Sequence, residues 1–450
     1  MTLRKEYFRY ILPAMAAQLV FTLYTVVDGL FVAHGVSETA LAAVTIASPF
    51  VSALFAISLT FAVGTSTIVA RLLGEDRLDE GCKVFTQNIV TLTVFSLIMT
   101  FILFWKLEPF CHILGATEVT YPYVKAYIGG ILPFAVIFIL SYTFEILIST
   151  DGFPSLATII VTVGVVSNCI FDWIFIFILH WGVAGAAFAT SLSQVLVTIF
   201  YLIHFLGKKA RIRFRQFGFR KELVFRELIN GLPSGITELS TGLITFIFNQ
   251  AILRYLTEDS LVTYTILSYG VLIVVVLMVG IAQGSQPLIG YYHGKKEPEK
   301  VHRLFHYQLR TGIALSVILA IFYVVFSHEA ALLFLSENQI ELIKETVQAS
   351  HPFSLAFPFI SMNIIIAGYF TSLEWPQVAV TISLSRCTIT LLIAIVVAVT
   401  FCGSKNLWLS LPVSEILCFV LAVYLKRKAT KIGDPEGILQ ENILKKRNDI

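Results

Sequence analysis

Six ionisable side chains lie inside long apolar stretches of this 450-residue chain. A charged group at the centre of a bilayer costs about 2.5–3.5 kcal/mol on insertion scales, so each of the six is a candidate functional residue. In that setting such groups bind cations, carry protons or pair with a neighbouring helix. The six are Asp28, Glu145, Asp172, Glu238, Arg386 and Glu415.

Four polar residues are expected at one depth of the membrane. Asp28, Asp172 and Thr190 each lie five to eight residues from the same end of their apolar stretches. At a rise of about 1.5 Å per residue, this places them roughly 8–12 Å below the surface. Asn168 precedes Asp172 by one helical turn and shares its face. The resulting oxygen-rich cluster could hold Na⁺ or share a proton; alternatively, each side chain only caps or bridges helices.

The remaining ionisable residues have other expected roles. Glu238 should lie near mid-membrane, which makes it a second candidate acid for coupling or for a cationic substrate. The alternative for Glu238 is a hydrogen bond to a neighbouring helix. Arg386 and Glu415 are expected to pair across the last two helices, and Glu145 is expected to reach water near the end of its span.

Pro13 and Pro233 each stand inside a long apolar stretch. Proline in a helix removes a backbone hydrogen bond and favours a kink. We expect both to act as hinges, so that a change of charge at Asp28 bends the first helix and alters a cavity. A static kink is the alternative.

The elements that position these residues are predicted to be membrane-spanning helices. The chain is 57% hydrophobic and 14% charged, whereas a soluble domain carries roughly 25% charged residues. The apolar stretches are too long for strands and do not alternate, so an all-α integral membrane protein is predicted rather than a barrel. At about 20 residues per span, twelve transmembrane helices are predicted, at 8–33, 40–70, 85–106, 121–150, 154–180, 182–207, 225–253, 260–292, 305–327, 341–372, 375–402 and 405–427.

The sequence contains an internal repeat of about half its length. Pro13 and Pro233 are 220 residues apart, and the same offset pairs Glu38 with Glu258, Gly64 with Gly284 and Gly74 with Gly294. The sequence therefore predicts an N-terminal six-helix bundle (1–207), a cytoplasmic linker (208–224), a C-terminal six-helix bundle (225–427) and a cytoplasmic tail (428–450). Six spans per half predict a pseudo-twofold axis along the membrane normal, with a cavity between the bundles.

The distribution of basic residues predicts the orientation. With both termini in the cytoplasm, 26 Lys and Arg lie on the inner side and five on the outer side. The positive-inside rule therefore favours an inner (plasma) membrane protein with cytoplasmic termini. The basic cluster at 208–226 is interpreted as a juxtamembrane linker beside lipid rather than as a nucleic-acid patch. A monomer is expected.

Enzyme and cofactor motifs are absent from the sequence. The six cysteines are scattered without paired spacing, which predicts neither a zinc site nor a disulfide framework. No phosphate-binding GxxxxGK[ST], HExxH or nucleophile elbow occurs. No cofactor is expected, and no metal beyond a Na⁺ at the Asp28 cluster. Without a nucleotide-binding domain, an ion gradient would supply the energy.

Several segments together resemble the multidrug and toxic compound extrusion (MATE) transporters along nearly the full chain. Each segment is weakly specific alone, and their order and spacing carry the resemblance. They are Val27–Gly35 with Ala40–Val44, Asn168 with Asp172, Trp181–Thr190, Gly231–Gly235 and Gly280–Gly290. Within the family, the chain is most similar to the bacterial MepA-like branch.

The resemblance implies antiport, in which an organic, often cationic, drug leaves as H⁺ or Na⁺ enters. It also implies that Asp28, Asn168, Asp172 and Thr190 handle the coupling cation. Glu238 matches an acid of the seventh helix that is important in some branches. No second acid matches those of the eighth or tenth helix, which argues against a cation site in the C-terminal half.

Two other function classes were weighed against a drug antiporter. A flippase for lipid-linked oligosaccharides or other amphiphiles would need more basic residues inside its spans, and only Arg386 lies within one. A membrane enzyme or receptor would need a catalytic or ligand cluster at one face and gives no reason for a duplicated half.

Overall fold

A computed structural model describes residues 2–336 and 338–432, and every regular element in those ranges is a helix. The predicted tail therefore lies outside the described residues from position 433 onward. The N-terminal half contains α1 (Leu3–Gly35), α2 (Glu38–Gly74), α3 (Leu78–Trp105), α4 (Tyr121–Thr150), α5 (Pro154–Ile178) and α6 (Gly182–Leu206). The C-terminal half contains α7 (Lys221–Tyr255), α8 (Ser260–Gly294), α9 (Pro298–Val325), α10 (Ile340–Ser354 and Phe357–Ser372), α11 (Pro376–Phe401) and α12 (Ser410–Ile432).

The helix count agrees with the prediction. Within the described residues, eleven helices are long and apolar enough to cross a membrane, and the two segments of α10, bent by 43°, make a twelfth. Several helices extend beyond their predicted apolar stretches. For example, α1 begins at Leu3 and α7 at Lys221 rather than at 8 and 225. The basic residues at these ends are polar but remain helical, which hydropathy alone does not reveal.

Each half packs around its own apolar core. The largest buried cluster runs from Phe248 to Ala422 and belongs to the C-terminal half. Two further clusters, from Val32 to Ala187 and from Ile68 to Ile212, belong to the N-terminal half. Large apolar side chains also cover the outside of the protein, such as Phe101 at 68% and Phe322 at 59% exposed. An outer surface of this kind is stable when it faces lipid.

At the ends of α2 and α8, the two halves contact each other through a pair of equivalent contacts, as a twofold axis requires. A Cβ added to Gly74 would lie 2.1 Å from the carbonyl oxygen of Tyr291, and one added to Gly294 would lie 2.1 Å from that of Arg71. These two contacts are the same contact under the 220-residue offset, because 74 maps onto 294 and 71 onto 291. The reciprocal pair confirms the predicted pseudo-twofold relation.

An ion pair and a hydrogen bond also cross between the halves at this end of the molecule. The Nη1 atom of Arg71 lies 3.7 Å from Oε1 of Glu374, and within the C-terminal half Arg226 donates through Nε to Oε2 of the same glutamate at 2.8 Å. Tyr292 donates its hydroxyl to Glu6 at 2.7 Å. Because the N-terminal, α2–α3, 208–226 and α8–α9 basic segments meet here, we call it the basic end. In this conformation the halves are closed against each other at the basic end.

The seam between α2 and α7 is as tight as that between α2 and α8. A Cβ on Gly231 would lie 1.6 Å from the carbonyl oxygen of Thr60, and one on Gly64 would lie 1.9 Å from that of Glu227. Real Cβ atoms do not approach backbone oxygens this closely, so only glycine allows these helices to meet as they do.

We therefore expect Gly231→Val to destabilise the protein strongly, by more than about 3 kcal/mol, as overpacking against backbone does when nothing can yield. The midpoint of thermal unfolding in detergent measures this effect. The matched control is Gly242→Ala in the same helix, where an added Cβ meets nothing within 4 Å. A melting temperature for Gly231→Val equal to that of the control would contradict the seam as described.

Candidate functional site

Two acidic side chains meet inside the N-terminal half. Asp28 on α1 is 7% exposed and Asp172 on α5 is fully buried. Their carboxyl groups face each other within hydrogen-bonding reach. The structure therefore brings together two residues that are 144 positions apart in the chain, as their common depth predicts.

The amide of Asn168 completes one side of this carboxyl pair. Its environment is satisfied when the amide nitrogen donates to Oδ2 of Asp172 at 2.7 Å and the amide oxygen accepts from the backbone N–H of Thr190 at 3.1 Å. The hydroxyl of Thr190 also lies 3.3 Å from that of Tyr24. All four residues of the predicted cluster are thus neighbours, and Tyr24, which the sequence did not single out, joins them.

Each acid of the pair keeps one oxygen without a partner. Oδ1 of Asp28 and Oδ1 of Asp172 are buried and accept no hydrogen bond from any described residue. Two buried carboxylates without a compensating charge are strongly destabilising. A bound proton or one small cation between them removes that penalty. The pair is consequently a candidate site for a proton or a small cation.

Local helix geometry contributes to this arrangement. Directly after Asp172, α5 passes into a π-helical turn from Trp173 to Ile178. Such turns occur frequently at functional sites, because they leave some backbone groups out of the regular ladder and re-aim side chains. Near the start of the same helix, Thr158 donates its hydroxyl to the carbonyl oxygen of Pro13 at 2.8 Å, which ties α5 to α1. No pattern in the sequence indicated the π-helical turn.

The C-terminal half contains a buried polar cluster in which an acid is paired with a base. Arg386 donates through Nε to Oε1 of Glu415 at 2.8 Å, and Asn363 donates to Oε2 of Glu415 at 2.7 Å. The predicted pairing of Arg386 with Glu415 is confirmed. A second π-helical turn, Ser385–Ile389, carries the arginine. Here the protein supplies its own cation, so the glutamate needs no ion from solution.

Glu238 occupies a different place from the carboxyl pair. It lines a cavity between the halves together with Gln283, Arg386 and, from the N-terminal half, Leu59. Among the described residues no ion pair joins Glu238 to Arg386, whose ion-pair partner is Glu415. The cavity thus presents an unpaired acid and several amides and hydroxyls. Glu238 lies beside the space between the halves and not in the Asp28 cluster.

Aromatic side chains of the N-terminal half lie on the same side as this cavity. Phe21, Phe55 and Tyr142 pack edge to face, with ring centres 4.5–5.7 Å apart. Tyr142 also lies within electrostatic reach of both Glu145 and Glu238. Glu145 is partly buried. Aromatic faces next to carboxylates attract organic cations, and this combination of residues from both halves was not predicted.

Sequence reasoning missed one further buried acid, Glu227. It is fully buried on α7, both of its carboxyl oxygens accept no hydrogen bond in the described structure, and it lies within reach of the Thr65 hydroxyl. Its position two residues inside the predicted span 225–253 could have identified it as an acid within the membrane. The helix begins earlier than predicted, at Lys221, so Glu227 lies deeper than its place near the predicted boundary implied.

The two predicted hinge prolines lie inside continuous helices. Pro13 is within α1 and Pro233 within α7, and neither helix is interrupted. Two further prolines, Pro49 and Pro287, stand inside α2 and α8. The hinge role of Pro13 and Pro233 stays a prediction, since a single conformation does not display a hinge motion.

Comparison with known structures matches this architecture over most of the chain. An outward-facing MATE family transporter of the MOP superfamily superposes with a TM-score of 0.89 at 20% identity, covering 96% of this chain and 97% of the other. A MOP superfamily transporter from Pyrococcus furiosus, described as having a binding pocket of reversed polarity, gives a TM-score of 0.89 at 20% identity over 95% and 96%. These likenesses establish the fold.

Sequence relatives point in the same direction. The chain is 23% identical to the multidrug export protein MepA of Staphylococcus haemolyticus over 431 residues, covering 94% of this chain and 92% of that protein. It is 25% identical to MepA of Staphylococcus saprophyticus over 294 residues, which is 64% of each chain. Several curated relatives are thus matched over slightly less than two thirds of their length.

The MatE family model matches the chain twice, at residues 13–174 and 233–400. The two matches begin at Pro13 and Pro233, the residues that define the 220-residue repeat. Together they cover well over half of the sequence. With the repeated halves, the helical architecture and the relatives described above, they show that this chain belongs to the MATE family of transporters.

Proposed function

We propose that this protein is a multidrug efflux antiporter that exports organic cations in exchange for a coupling ion bound at Asp28 and Asp172. The observation that carries the proposal is the facing pair of buried carboxyls, each with an oxygen that no described residue satisfies. A site of this kind changes its charge when a proton or cation binds, which is what coupling requires. The relatives named as multidrug export proteins support the direction and type of transport.

Of the two candidate coupling ions, the proton fits the amide orientation better. Asn168 presents its N–H group to Asp172 and turns its oxygen toward the backbone of Thr190. Sodium requires a shell of oxygen ligands, and this arrangement withdraws one of them. Two carboxyls that share one proton need no such shell. Na⁺ remains the alternative that the experiment below distinguishes.

The cavity at Glu238 supports a cationic substrate. The unpaired acid lies between the halves, and the aromatic cluster of Phe21, Phe55 and Tyr142 lies on the N-terminal side. Carboxylates and aromatic faces both favour a positively charged organic group. Arg386, the arginine that lines this cavity, is ion-paired with Glu415, so it is not free to bind a phosphate as a flippase would require.

Alternating access then follows from the seam between the halves. In this conformation the basic end is closed by Gly74, Gly294 and the Arg71–Glu374 ion pair. If the basic end is cytoplasmic, as the positive-inside rule predicts, this conformation is closed toward the cytoplasm. Rocking of the two halves about the pseudo-twofold axis would open that side.

We expect Asp28→Asn and Asp172→Asn each to abolish ion-coupled efflux, because an amide carries no negative charge for a cation to neutralise and does not take up or release a proton. Purified protein in vesicles loaded with ethidium, with H⁺ and Na⁺ gradients imposed separately, measures this. Wild-type efflux should follow the H⁺ gradient. The matched control, Glu258→Gln, changes an exposed loop carboxylate and should retain full activity. Wild-type efflux driven by neither gradient would refute antiport, and full activity of both aspartate variants would remove the pair from the mechanism.

Glu238→Gln should weaken binding of ethidium by about tenfold to a hundredfold, because a hydrogen bond to a charged group contributes about 1.5–3 kcal/mol. Fluorescence anisotropy of the dye with detergent-solubilised protein gives the dissociation constant without transport. Glu258→Gln again serves as the carboxylate-to-amide control. An unchanged dissociation constant would place the cation site elsewhere.

Pro13→Ala should restrict the movement of α1, because alanine restores the backbone hydrogen bond that proline omits. The native cysteines are first replaced, and spin labels are attached at Leu23 and Leu243, whose side chains are 66% and 40% exposed. The distance between the two labels then reports the separation of the halves at low and high pH. We expect the pH-dependent change in that distance to fall by at least half. A change as large as in the parent protein would mean that Pro13 marks a static kink.

A further inference from the structure

The segment that joins the two halves is unusually basic. Residues 208–221 contain seven Lys and Arg and no Asp or Glu. We call this segment the basic ribbon; its charged members are Lys208, Lys209, Arg211, Arg213, Arg215, Arg220 and Lys221. We propose that the basic ribbon is a binding site for the headgroups of anionic phospholipids, built into the protein independently of its transport function.

The backbone of the basic ribbon is held in place at both ends. Near its start, the N–H groups of Arg211 and Ile212 donate to the Asp151 carboxylate at 3.0 and 2.7 Å. Near its end, Arg220 and Gln87 exchange two hydrogen bonds, at 2.8 and 3.2 Å. A segment anchored in this way presents its side chains from fixed positions.

The middle of the basic ribbon is anchored too, and its side chains alternate. The N–H of Arg215 donates to the Thr86 hydroxyl at 2.9 Å. Ile212 is fully buried and Phe214 packs against the same apolar core. The intervening residues Arg211, Arg213 and Arg215 are exposed. Alternate residues of an extended chain point to the same side, about 6.5–7 Å apart, so these three arginines share the exposed side of the ribbon. The guanidinium of Arg213 donates to the carbonyl oxygens of Ala210 and Lys208 at 2.9 and 2.6 Å, which fixes the start of the ribbon.

Little of this positive charge is compensated by the protein. Lys208, Lys209 and Arg211 form no ion pair with a described residue. The acids nearest to the other end are Asp79 and Glu80, within electrostatic reach of Arg215 and Arg220 respectively. Those two acids already pair with other residues, at 2.5 Å to Lys83 and 2.7 Å to Arg77. The strongest uncompensated charge therefore lies at residues 208–211.

The position of the basic ribbon selects a phospholipid as the partner. It leaves the membrane at the end of α6 and re-enters at the start of α7, so it lies at the level of the headgroups. Two large aromatic side chains at its end, Phe219 and Phe225, are 67% and 65% exposed, as expected for rings that enter the boundary between headgroups and acyl chains. Each basic residue near an anionic membrane surface strengthens binding by about fivefold.

The test uses the full-length protein in neutral phosphatidylcholine nanodiscs with a trace of fluorescent phosphatidylglycerol. Energy transfer from the protein tryptophans to the labelled lipid reports its enrichment around the protein. We expect Lys208→Gln/Lys209→Gln/Arg211→Gln to lower the affinity for phosphatidylglycerol by about tenfold to a hundredfold, the value expected for three charges after screening. The wild-type enrichment should also fall as NaCl is raised from about 0.05 to 0.5 M.

The matched control is Lys295→Gln/Lys296→Gln/Lys300→Gln, which removes the same charge from the α8–α9 connection at the same end of the molecule. It should retain most of the wild-type enrichment. The charge-conserving variant Lys208→Arg/Lys209→Arg should also retain it, and the melting temperature in phosphatidylcholine alone should be unchanged in all variants. Equal losses in both triple variants, or equal enrichment of labelled phosphatidylcholine, would overturn the proposal. Displacement of the lipid by inorganic phosphate or duplex RNA at the same charge concentration would overturn it as well.

Discussion

The cost of an uncompensated charge in a low-dielectric interior governs how the two halves of this protein differ. Both halves bury acidic residues on their inner helices, and both carry a π-helical turn beside the polar cluster. In the C-terminal half, Arg386 and Asn363 satisfy both carboxyl oxygens of Glu415. In the N-terminal half, Asp28 and Asp172 face each other without a basic partner. The charges of the Arg386–Glu415 cluster therefore balance each other. Those of Asp28 and Asp172 would be balanced only by a bound proton or cation.

This difference in charge compensation distinguishes two halves that share the same helical architecture. Arginine stays protonated under all ordinary conditions, so Arg386 provides Glu415 with a permanent counter-charge between α11 and α12. The Asp28–Asp172 pair changes charge with occupancy, and it lies on α1 and α5, which are linked through Thr158 and Pro13. In the proposed mechanism, a change in that pair would act on the helix that also packs along the seam, and substrate would meet Glu238 in the space between the halves.

The seam itself is suited to repeated opening. It is made of backbone surfaces at Gly64, Gly74, Gly231 and Gly294, supplemented by a few polar contacts such as the hydrogen bonds from Gln286 to Val63 and Thr67. At the solvated margin of the seam, burial alone would raise the pKa of Glu75, but hydrogen bonds from Arg77 and Arg71 hold that pKa below its ordinary value. The Glu75 carboxylate thus stays ionised at this margin. Deeper in the seam the contact is mostly between backbones, and Glu227 is the buried acid beside it.

The sequence alone determined the membrane class, the twelve spans and the duplicated halves, because long apolar runs, charge asymmetry and a fixed 220-residue offset are local or periodic signals. It also placed Asp28, Asn168, Asp172 and Thr190 together, since depth along a helix follows from counting residues. Only the tertiary structure decided which direction each side chain faces. That is why the orientation of the Asn168 amide, the π-helical turns, the contribution of Tyr24 and Tyr142, and the burial of Glu227 were not foreseen. The rotation of a helix about its axis and its contacts with distant helices depend on packing. A helix that is hydrophobic on every face has no sequence pattern from which that rotation can be predicted.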